Sequence, residues 1–261
     1  MMALNEHQEK ALSLLQPLVL DAHKMILKPK AKTPKDSRFC SHFNGDPYFE
    51  PGEQWPTVSG GKSKKSDPKP YDFIFQVVND GTIGLPKDIA LFQFYYNWEL
   101  MPWDTKDKGW LVKTYRKINR TNGITIKSPP ENDSLREFDG VSFRPYCGIT
   151  FKPIRMLPDW DSIDDYVPKR ELTKLCKKIN DDEPWEAYNQ LCKKLKIATE
   201  IESCCGGYPQ WVQGNEAKGR KLVFQAGCEE DTGFQWEDDG RIYLFFDPTN
   251  EKAFHFVLQC Y

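Results

Sequence analysis

Two short stretches of this chain repeat each other, and that repeat limits its folds more than any other feature. Phe73-Ile74-Phe75-Gln76-Val77 and Leu222-Val223-Phe224-Gln225-Ala226 are each an apolar run broken by one glutamine directly after a phenylalanine. Eighteen residues beyond Gln76 comes Phe94-Tyr95-Tyr96-Asn97, and nineteen beyond Gln225 comes Leu244-Phe245-Phe246-Asp247. Upstream, Gly45-Asp46-Pro47-Tyr48 precedes the first set and Gly207-Tyr208-Pro209-Gln210 the second. Three matched elements in one order point to two related β units, joined about a pseudo-two-fold axis in one globule.

The runs themselves read as strands, because β-branched and aromatic side chains suit a pleated, half-buried surface. Strands are expected at 71–78, 90–98, 110–119 and within 142–157, then at 221–227, 241–247 and 253–260. Aromatic residues make up 13% of the chain, with eight Trp, which supports a β-rich core. Helical spacing appears elsewhere. Leu4, Ala11, Leu14, Leu15, Leu18, Ala22 and Ile26 fall on one stripe, predicting an N-terminal helix over about 4–28, divided or kinked at Pro17. Two short helices are expected between the β units. One spans 168–179 and buries Leu172, Leu175, Cys176 and Ile179; the other follows a cap at Asp181 or Asp182 and buries Trp185, Tyr188, Leu191, Cys192 and Leu195. The fold expected is α+β and mainly β, a single domain over 1–261. Its first β unit covers about 37–157, the helical connector about 160–198 and the second β unit about 200–261. The stretch 60–70, rich in Gly, Lys and Pro, reads as a flexible surface loop.

Net charge is −2, which exerts no overall pull on nucleic acid or anionic membrane. Lysines gather at 28–35, 62–69 and 169–178 and acids at 159–165, 181–183 and 229–231, and each run reads as a solvated face. No apolar stretch is long enough to span a membrane, and no basic-aromatic motif for nucleic acid is present. The eight Cys show no zinc or disulfide rhythm, and the start lacks the apolar core of an export signal. Reduced thiols in a cytoplasm are therefore expected.

Cys204-Cys205-Gly206-Gly207 invites a chemical reading. A nucleophilic thiol needs a base beside it, and no acid–His–Cys spacing supplies one. A phosphate cradle needs glycines opening a helix, whereas these lead into Tyr-Pro-Gln-Trp and a strand. The cysteines therefore read as small apolar packing and the glycines as a turn, with Pro209 fixing its exit. Glu237-Asp238-Asp239-Gly240 lacks the calcium-loop pattern and reads as a turn. No catalytic, cofactor or metal residue stands out. The sharpest polar signals are Gln76 and Gln225, because an amide inside an apolar strand must find partners. Each would either tie down the Gly-Pro loop of its own half or face a cleft between halves. That cleft would be lined by Gln76, Gln225, Gly45, Pro47, Gly207, Tyr208 and Pro209.

Ser37-Arg38-Phe39, Asn44 through Phe49, Trp55-Pro56-Thr57, Gln93-Phe94-Tyr95, Gly206-Gly207-Tyr208 with Gln213, and Trp236 followed by Asp239-Gly240 complete a series. Together with Gln76 and Phe224-Gln225, their order resembles the YwqG-like proteins, a mostly bacterial family without an established activity. The likeness covers nearly the whole chain. It departs where the family has Gly-Gly and this chain has Asn44-Gly45, and where a strand-opening Gly is replaced by Ile89-Ala90, so the first half is expected to turn differently. YwqG-like genes tend to lie near polymorphic toxin systems. The resemblance thus implies an intracellular, non-catalytic protein that binds a protein partner, such as an immunity protein occluding a toxin. The alternative is an enzyme or small-molecule binder using the cleft.

Overall fold

The computed structural model describes residues 5–59, 67–127, 146–199, 201–247 and 250–261. Helix α1 (Glu6–Leu15) opens on a capping box: the Asn5 side chain accepts from Gln8 N–H, and Gln8 returns the bond to the Asn5 N–H. It ends in a single tight turn at Gln16–Leu18, because Pro17 cannot continue the ladder. The chain then runs into strand β1 (Leu20–Lys30), not further helix. The expectation of one helix over about 4–28 is therefore corrected, and Leu4 lies outside the described residues. The cause is a spacing that serves two structures. Leu18, Ala22 and Ile26 are four apart, which is one helix face and equally one strand face. β1 is strand because it forms ladders on both sides.

Short strands β2 (His42–Phe43), β3 (Tyr48–Phe49), β4 (Thr57–Ser59) and β5 (Pro68–Pro70) follow. Next come β6 (Asp72–Val78), β7 (Leu91–Tyr96), β8 (Trp110–Tyr115), β9 (Ile124–Thr125) and β10 (Tyr146–Met156). Helices α2 (Glu171–Ile179) and α3 (Pro184–Lys194) lead to β11 (Cys204–Gly206), β12 (Lys221–Ala226), β13 (Arg241–Asp247) and β14 (Asn250–Gln259). Of the expected 60–70 loop, 60–66 lies outside the described residues, while Pro68–Pro70 pairs with Thr57–Ser59.

The fold is mainly β, as expected, with a few helices. Ten strands make one sheet in the order β14-β13-β12-β11-β1-β10-β2-β6-β7-β8. Its middle is the long antiparallel pair β1–β10, running from Leu20↔Met156 to Lys30↔Tyr146. The β6–β7 ladder slips at Ile74 and the β12–β13 ladder at Val223, each two residues ahead of a glutamine. The two outer strands curl toward one another until the sheet is nearly closed. The segment entering β8 lies along β14: Asp104 bridges Val257, Leu258 N–H donates to Trp103 C=O at 2.8 Å, and the Thr105 hydroxyl bonds both backbone groups of Phe256. Curling keeps edge groups from being left unpaired.

Inside the curl lies the main core, and Phe75 and Phe224 stack there with ring centres 3.9 Å apart. A second core joins α1 to α2 and α3 through Ala11, Leu15, Leu172, Leu175, Cys176, Tyr188 and Leu191. Two helix expectations change. Trp185 points outward, 47% exposed, while Pro184 and Ala187 take the buried face. The cap of α3 is Glu183, whose N–H is held by the Asn180 side chain, not by Asp181 or Asp182.

Candidate functional site

Both Gly-Pro loops bend through two consecutive residues with positive φ. In the first these are Asn44 (56°) and Gly45 (72°); in the second, Gly206 (70°) and Gly207 (74°). The expectation that Asn44-Gly45 turns differently is thus corrected at these two positions, because asparagine tolerates the left-handed region better than other side chains. Space as well as φ selects glycine at two of them. A Cβ on Gly45 would lie 2.9 Å from the Tyr146 ring, and one on Gly207 would lie 2.7 Å from Met156 Sδ and 2.8 Å from Ala22 Cβ. Pro47 and Pro209 are buried after the bends.

The glutamines meet the chain just beyond each proline. Gln76 Oε1 accepts from Tyr48 N–H at 2.9 Å, and its amide donates to the carbonyls of Arg38 (2.9 Å) and Cys40 (2.8 Å). Gln225 Oε1 accepts from Gln210 N–H at 3.0 Å, and its amide donates to Ile201 C=O at 2.8 Å. The carbonyls of the same two loop residues are held as well. Tyr48 C=O accepts from Gln93 (2.6 Å) and the Tyr115 hydroxyl (3.1 Å), and Gln210 C=O accepts from Arg241 and the Tyr243 hydroxyl, both at 2.7 Å. Neighbouring residues of a strand face opposite sides. Hence the alternation that sends Phe75 and Phe224 into the core turns Gln76 and Gln225 outward, each under the loop of its own half. Gln76 is bonded within 37–93 and Gln225 within 201–210, and no hydrogen bond joins the two amides among the described residues. Tyr208 goes elsewhere, its hydroxyl donating to Leu18 C=O at 2.6 Å.

The thiols are free, and Cys204 and Cys205 are fully buried. Burial pushes the Cys204 thiol up to about 12 and the Cys205 thiol well above its ordinary value, so neither supplies a thiolate near neutrality. His42, opposite Gln76 in the β2–β6 ladder, is also fully buried, and burial lowers it to about 4. Its Nδ1–H donates to Asn44 C=O at 2.5 Å, while Nε2 has no hydrogen-bond partner among the described residues. No group of three His, Cys, Asp or Glu placed to hold a metal ion occurs among the described residues. No helix among them is long and apolar enough to cross a membrane.

Two features escape sequence reasoning. Gln259 anchors the second loop further on, accepting from the N–H groups of Val212 (3.2 Å) and Gln213 (3.1 Å) and donating to Gly214 C=O (2.8 Å). Its signal was present, a lone glutamine ending an apolar strand, as with Gln76 and Gln225. The other is a half-buried charged cluster beside the Tyr48 loop. Lys113 pairs with Glu53 at 2.9 Å and sits 4.4 Å from the Phe49 ring centre and 5.0 Å from that of Tyr115. Burial lowers the Lys113 pKa. Burial would raise Glu53, but bonds from Glu50 N–H, Lys113 and Tyr115 outweigh it and hold the carboxyl below its usual range. Sixty residues separate Glu53 from Lys113, so no local spacing reveals the pair.

A scan of family models matches residues 41–260 to a domain of unknown function, DUF1963. The chain belongs to that family. The DUF1963 match begins just before β2 and ends just after β14, so it takes in both Gly-Pro loops and both buried glutamines. Helix α1 and strand β1 precede it. No curated protein matches the chain.

Proposed function

We propose that this DUF1963 chain is a non-catalytic protein-binding module made of two related β units. Three likenesses support the paired units: the order of strands on either side of β1–β10, the slips at Ile74 and Val223, and the two glutamine-held loops. One observation carries the binding role. The groups best suited to chemistry are committed to structure, with Gln76 and Gln225 bonded to backbone and Cys204 and Cys205 buried, while large apolar side chains stand outside. Met101 is 40% exposed, Trp103 42% and Trp185 47%, and aromatic residues of this kind anchor protein interfaces. The free thiols suit a cytoplasmic setting. The narrower role, an immunity protein that occludes a cognate toxin, draws on the resemblance to YwqG-like proteins. Affinity capture from the native cell tests it: a stoichiometric protein partner is expected, and its absence would remove the reading.

A second reading, a small-molecule binder, is favoured by the half-buried Lys113–Glu53 pair, whose lysine lies against the Phe49 and Tyr115 rings. It predicts a higher melting temperature with one of a panel of metabolites and sugars. A panel that gives no shift eliminates it.

A further inference from the structure

The central pair β1–β10 shows different chemistry on its two faces. Toward the core go Met25 and Leu27 from β1 and Ile149 and Phe151 from β10. Outward go Lys24, Ile26, Lys28 and Lys30, with Lys152 directly opposite Lys24 and Thr150 directly opposite Ile26. Lys28, Lys30, Thr150 and Lys152 are exposed, Lys24 partly so, and Ile26 is 38% exposed. None of these four lysines joins an ion pair formed among the described residues. The remaining outward positions of the pair are Leu20, Ala22, Gly148, Ile154, Met156 and Tyr146, so the face carries no acid. Strands β11 and β2 add none, since Cys204 lies opposite Lys24 and neutral, buried His42 opposite Gly148, and Glu202, just before β11, is paired with Arg241.

Like charges directly opposite across a ladder destabilise it, so the Lys24↔Lys152 pair costs the fold stability. An anionic partner lying across the face removes that repulsion. The arrangement also specifies the partner's shape. Lys24 and Lys28 are on the order of 13 Å apart along the strand, with aliphatic Ile26 midway. An extended segment laid alongside would meet them with carboxylates four residues apart and an aliphatic residue between. Stacking of nucleic-acid bases would need exposed aromatic rings, and the rings at this face, Tyr146 and the adjoining His42, are buried.

We propose that the outer face of β1–β10 docks an acidic, extended protein segment through Lys24, Lys28 and Lys152 around Ile26. This deepens the protein-binding reading and rests on it. The test uses the full chain and a labelled peptide whose centre reads Glu-Ser-Leu-Ser-Glu, titrated by fluorescence anisotropy at low and high salt. The wild type is expected to bind it, more weakly at high salt. The Lys28→Glu/Lys152→Glu variant, with a melting temperature no lower than that of the wild type, should bind at least about tenfold more weakly, as loss of two charge contacts implies. A Gln-Ser-Leu-Ser-Gln peptide should lose a comparable factor. Equal binding to wild type and variant would overturn the proposal, as would no binding. Tighter binding of a single-stranded oligonucleotide or a phosphatidylserine vesicle than of the peptide would overturn it too. A native partner captured equally by wild type and Lys28→Glu/Lys152→Glu would remove this face while leaving the protein-binding reading intact.

Discussion

Replacing Gln76 or Gln225 with Leu keeps the side-chain volume roughly constant and removes only the amide. At Gln76 the change strips an acceptor from Tyr48 N–H and donors from the carbonyls of Arg38 and Cys40. Tyr48 is fully buried, so its N–H has no recourse to water, and leaving it unpaired costs about 1–3 kcal/mol. Cys40 is exposed and Arg38 half-buried, so solvent recovers part of the other two bonds. At Gln225 the orphans are Gln210 N–H, which is half-buried, and Ile201 C=O, which is buried. After allowing for the apolar gain of leucine, each substitution should lower the unfolding free energy by about 2–4 kcal/mol. That is a large share of the roughly 5–15 kcal/mol typical of a domain. Urea unfolding followed by Trp fluorescence measures it, with the slope unchanged and the midpoint lowered. Because the partners of the two amides are separate, the two sites should show similar losses. A loss below about 1 kcal/mol at both would show that the loops are held by something other than these amides.

Gly207→Ala meets both a positive φ and the close Met156 and Ala22 atoms, whereas Gly206→Ala has nothing nearer than 3.8 Å. The first should cost about 2–4 kcal/mol and the second about 1 kcal/mol, and equal melting temperatures would contradict this assignment. Exposed Cys40 should react with a thiol reagent well before Cys204 and Cys205, and changing both buried residues to Ala should lower stability without altering partner binding. Lost binding in a folded variant would reverse that reading. His42 titrates at about 4 when folded against 6.5 when free, so the unfolded chain takes up the proton first on acidification. Its contribution is complete above pH 6.5 and declines as pH falls toward 4, by about 3 kcal/mol across that window. In His42→Gln the pH slope of stability between these limits should flatten, and an unchanged slope would assign the acid sensitivity to other groups.

Legibility varied with the range of the interactions concerned. Strands β6, β7, β12 and β13 could be read because aromatic and β-branched runs behave alike in any sheet. The same local logic failed at β1, where spacing by four fits a helix and a strand equally, and only the ladders to β10 and β11 select the strand. It failed again at Trp185, since which side of α3 is buried depends on where α1 and α2 lie. Gln259 was readable in principle, because it carries the mark already noticed at Gln76 and Gln225. The Glu53–Lys113 pair was not, because its members meet only when β8 folds beside the Tyr48 loop.

By itself, then, the sequence determined a mainly β chain, two look-alike stretches, and two glutamines whose buried amides demanded partners. Those follow from alternation, propensity and the cost of an unsatisfied polar group, all of which act within a few residues. Tertiary structure decided that the amides face outward beneath their own loops, and that Phe75 meets Phe224 inside. It also placed Lys24 across from Lys152 on the outer face of β1–β10. The Phe75–Phe224 and Lys24–Lys152 pairings join residues more than a hundred positions apart, and no local preference encodes which strand becomes whose neighbour.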